Sequence, residues 1–168
     1  MNAPANAKPK ATLLDLDSLM DTKLDSVATL PDFMNPPNGL YRLAVTEAGL
    51  KKYDVKDEAG KATGDSAHRI SITYKVVTTR EYDSSELPVP DGTLFTEGFQ
   101  GTEQGLEYFK KRAMGILNVK EFDGASLGDI FTGLVNEEFE AKLTTKTAKV
   151  GNKEYENLQI RILPKVED

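Results

Sequence analysis

The sequence predicts a mainly β fold, a five-stranded barrel with α-helix in the order β-β-β-α-β-β. Three observations carry this. Apolar and polar residues alternate with a period of two in successive stretches, residues 102–118 switch to helical spacing, and a Gly-Asn turn joins the last two strands. At 168 residues and 39% apolar content, the chain suits one domain with a real core.

Residues 1–12, rich in Ala, Pro, Asn and Lys, read as a disordered arm. Thr12 is placed to cap a short helix over residues 13–25, where Leu13, Leu16, Met20 and Leu24 recur among Asp15, Asp17 and Asp21. That acidic stripe fits a solvated helix face, or an element that docks a partner or masks the protein's own basic surface. Pro31, Pro36, Pro37, Asn38 and Gly39 then break the chain. The reading is therefore a flexible arm over 1–37 and a folded domain over 38–165.

In that domain Tyr41, Leu43 and Val45 alternate with Arg42, Ala44 and Thr46, giving a first strand that bends at Gly49 and runs to Tyr53. A polar loop is expected over 54–67. Strand two, 69–79, sets Ile70, Ile72, Tyr74 and Val76 against Arg69, Ser71, Thr73 and Lys75, with β-branched content to match. A loop over 81–92 and a short strand over 93–99 follow. Leu106, Phe109, Ala113, Ile116 and Leu117 form the apolar stripe of the helix, with Lys110, Lys111 and Arg112 expected to serve its C-terminal end. Ser126-Leu-Gly-Asp129 has the form of a capping box for a second short helix. Residues 136–164 close the chain as a hairpin. Phe139, Ala141 and Leu143 oppose Leu158, Ile160 and Ile162 on one face, and Val150-Gly-Asn-Lys153 makes the turn.

This order suits a five-stranded Greek-key barrel of the OB type, whose ligand face is formed by strands two and three and by the loops joining strands one to two and four to five. Here those loops are 54–67 and 148–153. An open α+β sheet with the helix packed on one face competes with it.

Catalytic patterns fail one by one. His68 is the only histidine and there is no cysteine, which removes His clusters, thiolate chemistry and disulfides. Gly60-Lys61-Ala62 lacks the Ser or Thr of a phosphate loop, and Val55 stands where its first Gly belongs. A calcium loop starting at Asp15 would put Met20 and Ser26 at the positions that need Gly and Glu. Glu137 and Glu138 point to opposite faces of a strand. The chain reads as a non-enzyme with no metal and no cofactor. It has no apolar run of about eighteen residues and no secretory core at its start, so a soluble intracellular protein is expected.

The informative feature is a reversal of charge. The chain carries a net −6, yet between Lys142 and Lys165 six cations face only Glu154 and Glu156, a local +4. A binder of single-stranded nucleic acid needs cations spaced along a groove and rings on which bases stack. Arg42, Arg69, Lys75, Lys142, Lys146, Lys149, Lys153 and Arg161 are the candidate phosphate contacts, and Tyr53, Phe99 and Tyr155 the candidate stacking rings. Each has a plainer reading. Strand lysines also protect edges, Tyr155 fits a cross-strand packer, and Phe99 shares a face with Phe95 that suits the core. Tyr53 and Tyr82 fall in or beside expected loops, where packing explains a ring less well.

The segments Leu16-Asp-Ser-Leu19, Leu30-Pro-Asp-Phe-Met-Asn-Pro-Pro-Asn-Gly-Leu40 and Lys149-Val-Gly-Asn-Lys-Glu-Tyr-Glu-Asn-Leu-Gln-Ile-Arg-Ile162 resemble small bacteriophage OB-fold single-stranded DNA-binding proteins. The resemblance implies a protein that coats exposed single strands in phage DNA replication or recombination, alongside replication or recombination proteins, in the bacterial host cytoplasm. Many such proteins end in a long acidic tail, whereas this chain stops at Val166-Glu-Asp168, which shifts the expected recruiting role to the acidic N-terminal region. The alternative function is a protein-interaction module that grips a host protein without nucleic acid, favoured by the net charge. An oligosaccharide-binding domain is disfavoured by the absence of Trp.

Overall fold

The first two strands are far longer than a core requires. In the computed structural model, which describes residues 15–26 and 28–165, β1 (Gly39–Lys56) and β2 (Ala62–Tyr82) run past the apolar stretch as an exposed two-stranded arm. The loop expected over 54–67 is therefore only the turn at 57–61. Its Gly and Ser residues are compatible with a ladder that stays paired as far as Lys56 and Ala62. Tyr53 and Tyr82 consequently lie in strands. A second arm forms where β4 (Glu138–Val150) and β5 (Lys153–Ile162) extend beyond their buried halves. Gly151, at φ +64°, makes the turn, because a residue without Cβ takes that conformation at no steric cost.

With β3 (Leu94–Gln100), these strands form one antiparallel sheet in the order β3-β2-β1-β4-β5. The sheet is open. Its edges are β3 and β5, and no ladder joins them among the described residues. Register shifts along β1, including one between Val45 and Glu47, insert residues that bend a strand and deepen its twist.

The inward alternation places Tyr41, Leu43, Val45, Ile70, Ile72, Tyr74, Val76, Phe95, Phe139, Ala141, Leu143 and Ile160 in the core. Helices α2 (Glu103–Leu117) and α3 (Leu127–Leu134), between β3 and β4 in the chain, cover it with Phe109, Ala113, Ile116, Ile130 and Leu134. Burial of each large side chain stabilises by about 1.5–3 kcal/mol. Phe109 packs edge-on against both Phe99 and Phe131, at centroid distances of 5.6 and 5.5 Å.

Both helices begin where their side chains supply caps. Thr102 accepts from the Gly105 N–H, and Ser126 and Asp129 form the expected capping box. These bonds from Ser126 hold the Asp129 carboxyl below the usual carboxylate range. At Gly105 a Cβ would lie 1.8 Å from the Gln100 carbonyl oxygen, so only glycine lets the first turn of α2 sit against the end of β3.

The N-terminal region differs from expectation. Asp15, not Thr12, caps α1, which spans Leu16–Asp21 and is followed by a 3-10 turn at Leu24–Ser26. Thr12, Leu13 and the disordered arm expected over 1–12 lie outside the described residues. Residues 32–37, expected in the flexible arm, are docked: Met34 N–H donates to the Leu94 carbonyl, Leu94 N–H donates to that of Asp32, and Pro36 and Pro37 are buried. Prolines break helices and ladders, yet their rings pack as well as other apolar groups.

Candidate functional site

Strand parity decides which side chains share a surface. On the outer face of the second arm, Lys142 pairs with Arg161, Thr144 with Gln159, Lys146 with Asn157, and Ala148 with Tyr155. On the outer face of β1, β2 and β3, Tyr53 lies across from Ala67, Lys51 across from Arg69, and Arg69 across from Gln100. Tyr53 and Tyr155 are 46% and 48% exposed, so each ring has a free face.

Part of each group borders the opening between β3 and β5. A cleft of ≈940 Å³ is lined there by Phe99 and Gln100 of β3, by Gln104, Tyr108 and Lys111 of α2, and by Arg161 of β5, among others. At one end it shares Phe99 and Gln100 with a ≈260 Å³ hollow that holds Tyr53 and Arg69. At the other it shares Arg161 and Ile160 with a ≈530 Å³ hollow that holds Lys142 and Lys146. One groove thus runs from the base of the first arm, past α2, to the base of the second.

Apart from Arg112, which Glu97 holds, its cations are not neutralised locally. Among the described residues Arg69, Lys142, Lys146, Lys153, Arg161 and Lys111 make no ion pair. The structure does not treat all the sequence candidates alike. Arg42 is held by Glu138 at 3.3 Å and Glu140 at 3.4 Å, and these hydrogen bonds and charges raise its already high pKa further. Lys149 points to the face opposite Lys142 and Lys146 and lies 3.8 Å from Glu154. Lys75 is exposed, but on β2 opposite Leu94, at the far end of β3 from Arg69 and Gln100. Lys153 shares the outer face of Arg161 but sits at the tip of its arm. Phe99 is half-buried against Phe109 and offers the groove only part of its ring.

Comparison with protein-family models, curated proteins and solved structures gives no match.

Sequence reasoning missed the α2 wall. Gln104, Tyr108, Lys111 and Gly115 recur at steps of four, three and four, a second stripe beside the apolar one, and Tyr108 is 61% exposed. That spacing is visible in the sequence, but attention to the core face of the helix alone passes over it. Arg112, expected to serve the helix end, does something else. Its Nε donates to Glu97 Oε1 and its Nη2 to Glu97 Oε2, both at 3.0 Å, and its Nη1 donates to the Ile160 carbonyl at 2.8 Å. Glu97 also accepts from the Tyr74 hydroxyl at 2.7 Å. Burial, followed by the charge of Glu97, pushes the Tyr74 phenol well above its usual pKa and keeps it a donor.

Proposed function

We propose that this chain is a non-enzymatic, sequence-tolerant single-stranded DNA-binding protein, its sheet curling as an OB-type barrel with the groove as binding site. The carrying observation is the continuity of the groove: Tyr53, Phe99 and Tyr108 line its first two hollows beside Arg69 and Lys111, and Arg161, Lys142 and Lys146 continue it, none of these cations in an ion pair among the described residues. Cations neutralise phosphates and rings stack on bases of any identity, which gives affinity without sequence readout. Tyr155 and Lys153 extend the path along the second arm. Such a protein would serve DNA replication or recombination, and the resemblance to phage proteins is what supports proposing that work in an infected bacterial cytoplasm.

Fluorescence anisotropy with oligothymidine and with duplex DNA, at two salt concentrations, tests this. Neutralising about four to six phosphates gives a slope of log affinity on log salt of about −3 to −4, with preference for the single strand. Salt-independent affinity refutes the electrostatic mechanism.

A second reading has its own observation. Leu16, Leu19, Met20 and Leu24 are all more than half exposed beside Asp15, Asp17 and Asp21, a surface suited to a protein partner. Absence of any single-strand preference in the same assay favours that module.

A further inference from the structure

An open sheet leaves two edges with unpaired backbone groups, and the usual remedies are a covering element or a charged side chain. Here both edges converge on one residue of α2. Arg112 makes a bidentate pair with Glu97 of β3 and spends a third N–H on the Ile160 carbonyl of β5. The planar guanidinium fork suits this role, since two parallel donors match a carboxylate and another remains for a carbonyl, a geometry that a lysine ammonium does not reproduce.

Glu97 sits on the inward face of β3, between Phe95 and Phe99, and only 16% of its side chain is exposed, against 20% for Arg112. The pair lies at the junction of the hollows. Glu97 and Ile160 line both the ≈940 Å³ cleft and a ≈420 Å³ pocket on the Phe33 side, and Arg112 lines the cleft and the hollow with Lys142.

We infer that Arg112 is a latch: by holding Glu97 and the Ile160 carbonyl together it fixes the separation of β3 and β5, and so the width of the groove. It also occupies an acceptor that a β3–β5 ladder would otherwise use. Arg112 is then a positioning residue. Its charge is already matched by Glu97, so it contributes shape and little attraction for phosphate. The consequence for DNA rests on the proposed function; the consequence for the edges does not.

The chain has no cysteine, so two introduced ones can be labelled without background. Spin labels at Thr96→Cys and Gln159→Cys, both exposed positions on the two edges, report the separation by pulsed dipolar spectroscopy. The labelled parent should give one narrow distance distribution. Arg112→Met and Arg112→Lys should broaden or lengthen it while far-UV circular dichroism stays the same. If Arg112→Met does not fold, the doubly neutral Glu97→Gln/Arg112→Met variant, which leaves no unmatched charge, makes the same test. In unlabelled protein, oligothymidine affinity should fall about tenfold with the salt slope unchanged. An unaltered distribution in the folded variants overturns the latch. A slope reduced by about 0.7 also overturns it, by making Arg112 a direct phosphate contact. If the parent binds no single strand, the proposed function fails and the distances alone decide the latch.

Discussion

The two ends of one strand face carry opposite lessons. On the outer face of β4, Glu138 and Glu140 occupy the first half and Lys142 and Lys146 the second. At the acidic half, Arg42 and Arg80 lean in from β1 and β2 and are bound, Arg80 at 3.2 Å from Glu140. At the basic half, Lys142 faces Arg161, and neither is in an ion pair among the described residues. Two residues along a strand thus separate cations that are already satisfied from cations available to a ligand. In a chain with net charge −6, that placement matters more than the total.

The largest expected effect comes from abolishing the difference. Lys142→Glu with Lys146→Glu should weaken oligothymidine binding on the order of 100-fold, at about 1.4 kcal/mol per contact, and flatten the salt slope by about 1.4. Anisotropy titrations at several salt concentrations measure both. Tyr108→Ala and Tyr155→Ala should each cost about 1–3 kcal/mol and leave the slope alone, since stacking releases no counterions. Arg42→Gln should change affinity less than about threefold and the slope by less than about 0.3, because its charge is already bound. Glu138→Gln with Glu140→Gln should sharpen the contrast from the other side. It frees Arg42 and Arg80, raises affinity slightly with a steeper slope, and shifts stability by no more than about 1 kcal/mol for exposed pairs.

Much of the fold was legible because one side of each strand is buried. A one-residue slip would expose Leu43, Ile72 or Leu143, so period and register follow from the pattern. The capping box was legible too, since Ser126 and Asp129 act within three residues of each other, whereas Asp15 in place of Thr12 caps the first helix and Thr102 caps the second without having been singled out. The arms were not legible. Residues 54–67 are polar on both faces, and composition alone cannot distinguish an exposed ladder from a loop. The candidate site was legible in part. Lys142, Lys146 and Arg161 line one hollow and Arg69 and Tyr53 another, at opposite ends of the same cleft, but the pairing of Arg42 with Glu138 spans 96 residues and that of Arg112 with Glu97 depends on helix placement. Neither leaves a local trace.

If single-stranded DNA binds as proposed, it lies across the opening between β3 and β5. Amide shift perturbation by NMR on adding oligothymidine tests it directly. The shifts should concentrate at Tyr53, Arg69, Gln100, Gln104, Tyr108, Lys142, Lys146 and Arg161, with Arg42 and Arg80 still. Shifts centred on residues 15–25, or spread evenly over the sheet, would contradict it.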